Sequence, residues 1–461
     1  MESPTGDCLT TQRYDLVVIG AGTGNSLITD ELDDWRVAIV DGDRFGGTCL
    51  NRGCIPSKML VHTADVAQSV RGAERFGVLA TCDGVDWSSI RSRIFGRIDP
   101  MHDSAVNYRR RNGIDVFLER AHFVEPKVLQ VGDAVLSADR FVIAAGARPT
   151  IPTIPGLESV NHFTSDNLMR IQSLPSSMAV IGGGFIAVEM SHVFGSLGTS
   201  VTIIERGETL LARHDHEIRV RITQEYSSRF DLRLVSTVER VERSGAGVRV
   251  HLDTPTGKQT LEVEALLLGT GRTPNSDLLK VEATGVDVDE HGHVWTDDTY
   301  LTNVPGIWAL GDIANHFQLK HMANAEARLV RHNMIHPEVP ERASFRVVPS
   351  AVFGDPQVAS VGATEDELLA LARPFVVAKQ QYGDTAYGWA IGDTENFVKI
   401  LADPETRLVL GAHLIGPQAS TLIQPLVQAM SLGNTVDDVA SKVIYIHPAL
   451  TEVVEQALLA L

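Results

Sequence analysis

Tyr14-Asp15-Leu16-Val17-Val18-Ile19-Gly20-Ala21-Gly22-Thr23-Gly24-Asn25 is the stretch that decides the fold class. A short apolar run ending in Gly reads as a parallel strand buried on both faces. Gly20 and Gly22 then permit a tight strand-to-helix turn and let a pyrophosphate approach backbone N–H groups. A helix-like stretch follows, and then a second apolar run, Val37-Ala38-Ile39-Val40, which ends in Asp41. Asp41 lies 21 residues after Gly20, where a carboxylate accepts hydrogen bonds from a ribose. The usual third Gly or Ala is Asn25, with Gly24 one position early. That departure bears on helix–strand packing rather than on the phosphate site.

The pattern recurs. Met178-Ala179-Val180-Ile181-Gly182 is followed by a helix and by Ser200-Val201-Thr202-Ile203-Ile204-Glu205. Its turn, Gly182-Gly183-Gly184-Phe185-Ile186-Ala187, fits the dinucleotide pattern in full. Two dinucleotide folds therefore lie in one chain, roughly 160 residues apart. Glu205 suits a free 2′-hydroxyl, whereas Arg206 and Arg213 suit a 2′-phosphate or are solvated surface charges, so these residues leave NAD and NADP both open.

Soon after Asp41 comes Gly46-Gly47-Thr48-Cys49-Leu50-Asn51-Arg52-Gly53-Cys54-Ile55-Pro56-Ser57-Lys58. Four cysteines in 461 residues suit a reducing cytosol, where a close Cys pair is more often catalytic than structural. No second Cys/His cluster at zinc spacing accompanies it, and no metal site is expected. Two dinucleotide sites plus a Cys pair make a circuit. One site would hold FAD and the other a nicotinamide, and the reduced pair would act on an external disulfide by thiol–disulfide exchange. Exchange needs an acid–base group, and His447-Pro448-Ala449-Leu450-Thr451-Glu452 offers one. A carboxylate on one ring nitrogen fixes the tautomer and raises the imidazole pKa, leaving the other nitrogen to shuttle a proton. Pro448 is expected to open a helix.

Between the dinucleotide units lie a helical region from about Ser57 to Val70, a polar stretch, and a β-like segment ending in Phe141-Val142-Ile143-Ala144-Ala145-Gly146. Arg148-Pro149-Thr150-Ile151-Pro152-Thr153-Ile154-Pro155-Gly156 reads as a domain crossover, and Gly271-Arg272-Thr273-Pro274-Asn275 as a second. From Val347 the pattern turns strand-rich with two helical stretches, which suggests a third domain of α+β type. The net charge of −18 argues against nucleic acid and anionic membranes as partners. No apolar run approaches the length of a membrane span. Met1 to Thr11 is polar, lacks a secretory pattern and reads as a short tail; Cys8 and Cys82 have no partner nearby in sequence.

The cysteine run, Gly182 to Ala187, Gly271 to Asn275, Ala309-Leu310-Gly311-Asp312 and His447 to Glu452 together resemble the pyridine nucleotide–disulfide oxidoreductases, in the family's order from Tyr14 to Leu461. Within that family, Gly24 to Leu27, Phe95 to Pro100 and Tyr382 to Ala390 are most similar to the branch that reduces mycothione, the disulfide of mycothiol. The resemblance implies two Rossmann-like domains for FAD and NAD(P) plus a C-terminal α+β dimerisation domain. The parts are residues 12–151 (FAD, first part), 152–273 (NAD(P)H), 274–345 (FAD, second part) and 346–461 (interface).

The resemblance also implies a cytoplasmic homodimer with shared active sites. Cys54 would be the flavin-proximal thiolate and Cys49 the interchange thiol. Lys58 and Glu189 would pair near the flavin, and His447 with Glu452 would serve the other subunit's disulfide. Gly20, Gly22, Asp41, Thr48, Gly146 and Asp312 would contact FAD. Gly182, Gly184, Ala187, Glu205, Arg206, Arg213 and Arg272 would contact cofactor as well, and Phe185 stands at a gating position. The branch favours NADPH, with NADH possible. The alternative is an NAD-linked dihydrolipoamide dehydrogenase, supported by Glu205.

Overall fold

The computed structural model describes residues 11–461. Cys8 and, Thr11 aside, the segment read as a tail lie outside the described residues. The chain divides into two compact units. The first holds the described residues up to Ser57 together with Ser89–Thr150 and Gly271–Ser344.

At its centre, strand Gln12–Ile19 pairs in parallel with Val37–Val40 on one side and with the long strand Ala134–Ile143 on the other. Asp115–Phe117 extends the sheet beyond Val37–Val40, and Ile307–Ala309 lies parallel to the end of Ala134–Ile143. This is a dinucleotide-fold order, with the first strand central and its successors stacked outward on one side. The hairpin Ala121–Glu125 and Val128–Val131 joins antiparallel. Leu16, Val17, Val18, Val142 and Ile143 are all fully buried, which is why the strands read as unbroken apolar runs.

The expected helix after the first glycine turn is absent. Only two 3₁₀ turns, Gly24–Leu27 and Asp30–Leu32, link Gln12–Ile19 to Val37–Val40. Asn25, Asp30, Asp33 and Asp34 crowd this short link, and such residues compete with the helical backbone for its hydrogen bonds. The early Gly24 now has an explanation. A Cβ there would sit 2.8 Å from Val18 Cγ1 and 3.0 Å from Ala144 Cβ, so Gly24 takes the close-packing role. Asn25 is free to be polar, and its side chain and carbonyl both accept hydrogen bonds from Arg109.

The two crossover segments pair with each other. Ala147–Pro149 and Arg272–Pro274 form an antiparallel ribbon, with Thr273 opposite Arg148. The stretch read only as polar carries two helices, Trp87–Ile98 and Pro100–Arg111. The latter has Pro at its start and three arginines in its last turn, both favourable to a helix.

The second unit holds Lys58–Ser88, Ile151–Thr270 and Phe345–Leu461. Its parallel sheet runs Asp231–Arg233, Ser200–Ile204, Ser177–Ile181, Ala265–Leu268, again with the first strand of the motif inside. Here the crossover is a true helix, Phe185–Ser196. A five-stranded antiparallel sheet follows in the order Ser350–Val352, Gln357–Gly362, Val409–Gly416, Phe397–Ala402, Val376–Gln381. Six α-helices and one 3₁₀ turn accompany it among the described residues, not two helical stretches. Several are short and start at caps: Thr364 and Thr435 each close a capping box, a signal that apolar periodicity does not carry.

Strand Phe397–Ala402 is buried throughout and contains a lysine. Lys399 Nζ donates to Asp215 Oδ1 at 2.9 Å and Glu365 Oε2 at 2.6 Å, and lies 3.1 Å from Glu217 Oε2. Asp215 also caps helix His216–Arg229, accepting from Glu217 N. Burial pushes the Asp215 and Glu217 carboxyls up. Hydrogen bonds from Lys399, and for Glu217 also from Lys379, outweigh it and hold both below their usual range. Folded-state values below the unfolded ones give stability at neutral pH that is lost as pH falls through them. Unfolding in urea is expected to become markedly easier below about pH 4. Lys399→Met, which strands these carboxylates, is expected to cost about 3–5 kcal/mol. An unchanged urea midpoint for Lys399→Met would show that the cluster is not what joins this strand to its two helices.

Candidate active site

Cys49 lies in the short helix Gly47–Arg52, and Cys54 opens the helix Cys54–Arg71. The two thiols are hydrogen-bonded to each other. That bond, then burial, then the charge of Cys54 push the Cys49 thiol up, while Lys320 opposes the rise. Ionisation thus belongs to the pair, with one thiol supporting a thiolate on the other.

The cysteine segment is locked onto the first glycine loop. Gly46 N donates to Ala21 O at 3.1 Å, and Gly47, at φ +65°, approaches Gly22 so closely that a Cβ would fall 2.6 Å from Gly22 Cα. Thr48 follows in the first turn of the same helix. Asn51, which is buried, donates through Nδ2 to the carbonyls of Arg44, Phe45 and Gly47 at 3.0–3.2 Å. Asp41 closes the other side, with Oδ2 accepting from Ala21 N at 2.7 Å and Oδ1 from Asp43 N at 3.0 Å; burial raises its carboxyl.

Arg109 grips the loop from helix Pro100–Arg111, donating to Asn25 Oδ1, Asn25 O and Ile28 O. Lys320, the first residue of helix Lys320–Ile335, donates to Thr23 Oγ1 at 2.7 Å. Burial lowers its pKa, while Cys49, Cys54 and Asp312 favour its charged form.

Asp312 sits in the turn Gly311–Ile313, with its carboxyl raised by burial and Arg272 Nε 3.7 Å from Oδ2. The Arg272 guanidinium also donates to Ala147 O. Beneath the turn, the fully buried Glu326 accepts from Gly311 N at 2.6 Å and Asn315 Nδ2 at 2.7 Å. Gly146, at φ +65°, accepts at its carbonyl from Asn275 N. Arg109, Asn51, Lys320 and Glu326 were not singled out by the sequence reading.

In the second unit, the loop Gly182–Ala187 leads into helix Phe185–Ser196, whose N-cap Gly184 supplies no side-chain cap. Gly184 is exposed and a Cβ there would meet nothing within 4 Å, which leaves room beside the helix start for a pyrophosphate. Ala187 is buried against Gly269, the close packing expected of the third motif position. Phe185 is 45% exposed. Glu205 Oε1 accepts from Gly207 N at 2.7 Å, whereas Arg206 and Arg213 are exposed.

Lys58 Nζ donates to Glu189 Oε2 at 2.6 Å and stands over the Phe353 ring; Glu189 Oε1 accepts from Phe353 N at 3.0 Å. His447 and Glu452 form a further pair, Nδ1 to Oε1 at 2.7 Å. The bond from His447 holds the Glu452 carboxyl below its usual range. Because a carboxylate accepts, Nδ1 carries the hydrogen and Nε2 is left for exchange. Pro448 does not open a helix: the helix begins at Glu452, with Thr451 as its N-cap. Cys49 and Cys54 thus belong to one unit, and Lys58, Glu189, His447 and Glu452 to the other.

A mutually hydrogen-bonded thiol pair seated on a dinucleotide loop, in a chain with a second dinucleotide fold, defines a redox enzyme working between a nucleotide and a disulfide. Residues 14–327 match the pyridine nucleotide-disulphide oxidoreductase family, and residues 348–458 match that family's dimerisation domain. The chain is 44% identical to mycothione reductase of Mycobacterium tuberculosis, covering 98% of this chain and all of the relative. It is 32% identical to dihydrolipoyl dehydrogenase of Chlamydia trachomatis, covering 97% of each. The solved HOCl-induced flavoprotein disulfide reductase RclA from Escherichia coli is similar with a TM-score of 0.86 at 27% identity, over 96% of this chain and 99% of that one. The chain belongs to the pyridine nucleotide-disulphide oxidoreductases. It is a flavoprotein disulfide reductase, with FAD and NAD(P)H as its cofactors.

Lys320 gives this site a testable electrostatic signature. Replacing it by Met removes a cation that favours ionisation of the thiol pair. In the reduced enzyme, the pH midpoint of cysteine alkylation is expected to rise by about one unit in Lys320→Met. An unmoved midpoint would remove Lys320 from the account of thiolate formation.

Proposed function

We propose that this chain reduces mycothione with electrons from NADPH, restoring mycothiol and so sustaining thiol redox balance in the cytoplasm. The observation that carries the reading is the Cys49–Cys54 pair seated against the glycine loop through Gly47 and Gly22. The 44% identity to a mycothione reductase along the whole chain supports the substrate.

We assign residues 12–151 and 274–345 to FAD, 152–273 to NAD(P)H and 346–461 to the interface between subunits. Gly20, Gly22, Asp41, Thr48, Gly146 and Asp312 would hold FAD, and the half-buried Asp312 carboxylate gains by accepting from cofactor hydroxyls. Arg272 would steady Asp312. Gly182, Gly184 and Ala187 would shape the nicotinamide dinucleotide site. Glu205 is engaged by its own loop, which leaves the exposed Arg206, with Arg213, to meet a 2′-phosphate. When bound, the two cofactors supply a hydride and then an electron pair to the Cys49–Cys54 disulfide.

The remaining chemistry is the chain's own. His447 Nε2 takes the Cys49 proton, and the Cys49 thiolate attacks one sulfur of the substrate disulfide, forming a mixed disulfide and expelling one substrate thiolate, which takes that proton back from Nε2. Cys54 then attacks Cys49 sulfur, reforming the internal disulfide and releasing the second thiol. Glu452 holds the imidazole in the tautomer this requires. Lys58 and the buried Glu189 form a charge pair that would stand near the flavin.

His447 is exposed, and beside it Val443, Ile444 and Ile446 are 50%, 97% and 75% exposed. Such apolar exposure suits burial against a second copy, and with it a homodimer in which His447 serves the partner's cysteines. Among the described residues no helix is long and apolar enough to cross a membrane.

Purified enzyme assayed with mycothione, glutathione disulfide and dihydrolipoamide, against NADPH, NADH and NAD, tests the reading. NADPH-driven mycothione turnover should exceed the rest. NAD-driven dihydrolipoamide oxidation as the fastest reaction would replace it with the reading that Glu205 favours. Cys49→Ser should abolish disulfide turnover by about a thousandfold or more while coenzyme still reduces the flavin.

A further inference from the structure

Asp289, His293 and His316 lie together in the first unit, and none is among the individual residues given a cofactor or catalytic role above; their ligand-type atoms are within 4.8 Å of one another. Asp289 Oδ2 is 3.3 Å from His293 Nδ1 and 3.4 Å from His316 Nε2, and the two imidazole centroids are 4.0 Å apart. Oδ1 of the same carboxylate is taken by the N–H groups of His291 and His293, at 2.9 and 2.8 Å, so that Oδ2 is the oxygen facing the two rings.

His293 is the unusual member. It is only 7% exposed, and neither ring nitrogen has a hydrogen-bond partner among the described residues. Its short approach to Asp289 Oδ2 is therefore a close contact of charge-bearing atoms without hydrogen-bond geometry. A buried imidazole with both nitrogens unsatisfied is costly unless something occupies the space between it and its neighbours.

We infer that Asp289, His293 and His316 bind one divalent cation of the zinc class. Bonds of about 2.0–2.1 Å at tetrahedral angles place ligand atoms about 3.3 Å apart, which is the spacing of Asp289 Oδ2 from both imidazoles. Two imidazoles and one carboxylate suit Zn²⁺ better than Mg²⁺ or Ca²⁺, which prefer oxygen throughout. Water would complete the shell beside the exposed His316. The cation would tie the segment Asp289–Val294 to the stretch just after the Asp312 turn. These are already joined by the hydrogen bond from Val294 N to Ile313 O at 2.8 Å. Bound metal would act as a clamp, not as a participant in disulfide reduction.

The test uses chelator-stripped FAD-loaded enzyme, oxidised so that Cys49 and Cys54 are a disulfide and do not compete. Equilibrium dialysis with Zn²⁺ should give one ion per chain, and Co²⁺ should give a four-coordinate visible spectrum without a thiolate charge-transfer band. His316→Ala, at an exposed position, should fold normally, keep disulfide turnover and lose at least about a hundredfold in affinity. Asp289→Asn should weaken binding in the same sense, and a Cys49→Ser, Cys54→Ser variant should retain it. The inference fails if no stoichiometric site tighter than about 1 mM is found. It fails equally if His316→Ala binds as the parent does, or if binding vanishes with the cysteines.

Discussion

The contact between Gly47 and Gly22 is the constraint on which the site depends. A side chain at Gly47 would push the cysteine helix off the glycine loop, because its Cβ would meet Gly22 Cα at 2.6 Å. The closeness is held from both ends. Asp41 takes Ala21 N, Gly46 N reaches Ala21 O, and Asn51 fastens the carbonyls of Arg44, Phe45 and Gly47. One loop would therefore serve two tasks, cradling the dinucleotide proposed for it and setting where the thiol pair stands. Fixed geometry of this kind lets exchange chemistry proceed without first ordering the reacting groups.

The same loop lacks the crossover helix that such turns usually feed. A single 3₁₀ turn aligns few peptide dipoles, so it offers a phosphate less than the 12-residue helix at Gly184 does. Side chains make up the difference. Arg109 holds the turn from its carbonyl end, and Lys320 brings a cation to Thr23. The two dinucleotide folds of this chain thus reach similar ends by different means, one through a helix terminus and the other through fixed cations around a short turn.

What the sequence disclosed and what it hid follow from distance along the chain. The strands, the glycine turns, the cysteine run and the His447–Glu452 pair were legible because each is written within a few residues. Asp41 was legible through its fixed spacing from Gly20. Arg109 reaches a loop 84 residues earlier, and Lys320 meets Thr23 across 297 residues, so nothing local marks either as part of the site. The missing helix was misread because Gly24 stands one place early, and its purpose shows only in its contacts with Val18 and Ala144. The capped helices of the last hundred residues went uncounted because their starts are set by Thr side chains rather than by apolar period. His293 was invisible as a ligand candidate because His316 joins it and Asp289 only through the turn after Gly311.

A chain of net charge −18 would seem a poor setting for thiolate chemistry, since a negative field opposes the loss of a thiol proton. Range decides the matter. Exposed carboxylates beyond about 8 Å are screened at physiological ionic strength, whereas partly buried charges near the sulfurs are screened much less. Cys49 is held up by its bond to Cys54 and by burial, and the opposing influence is the nearby Lys320, itself half-buried and so acting through a lower dielectric. Lys320 also anchors Thr23, so its ammonium cannot swing out to solvent without releasing the glycine loop. The residue that steadies the glycine turn is thereby the one that favours the reactive form of the thiol pair, so one half-buried charge links the turn to thiol ionisation.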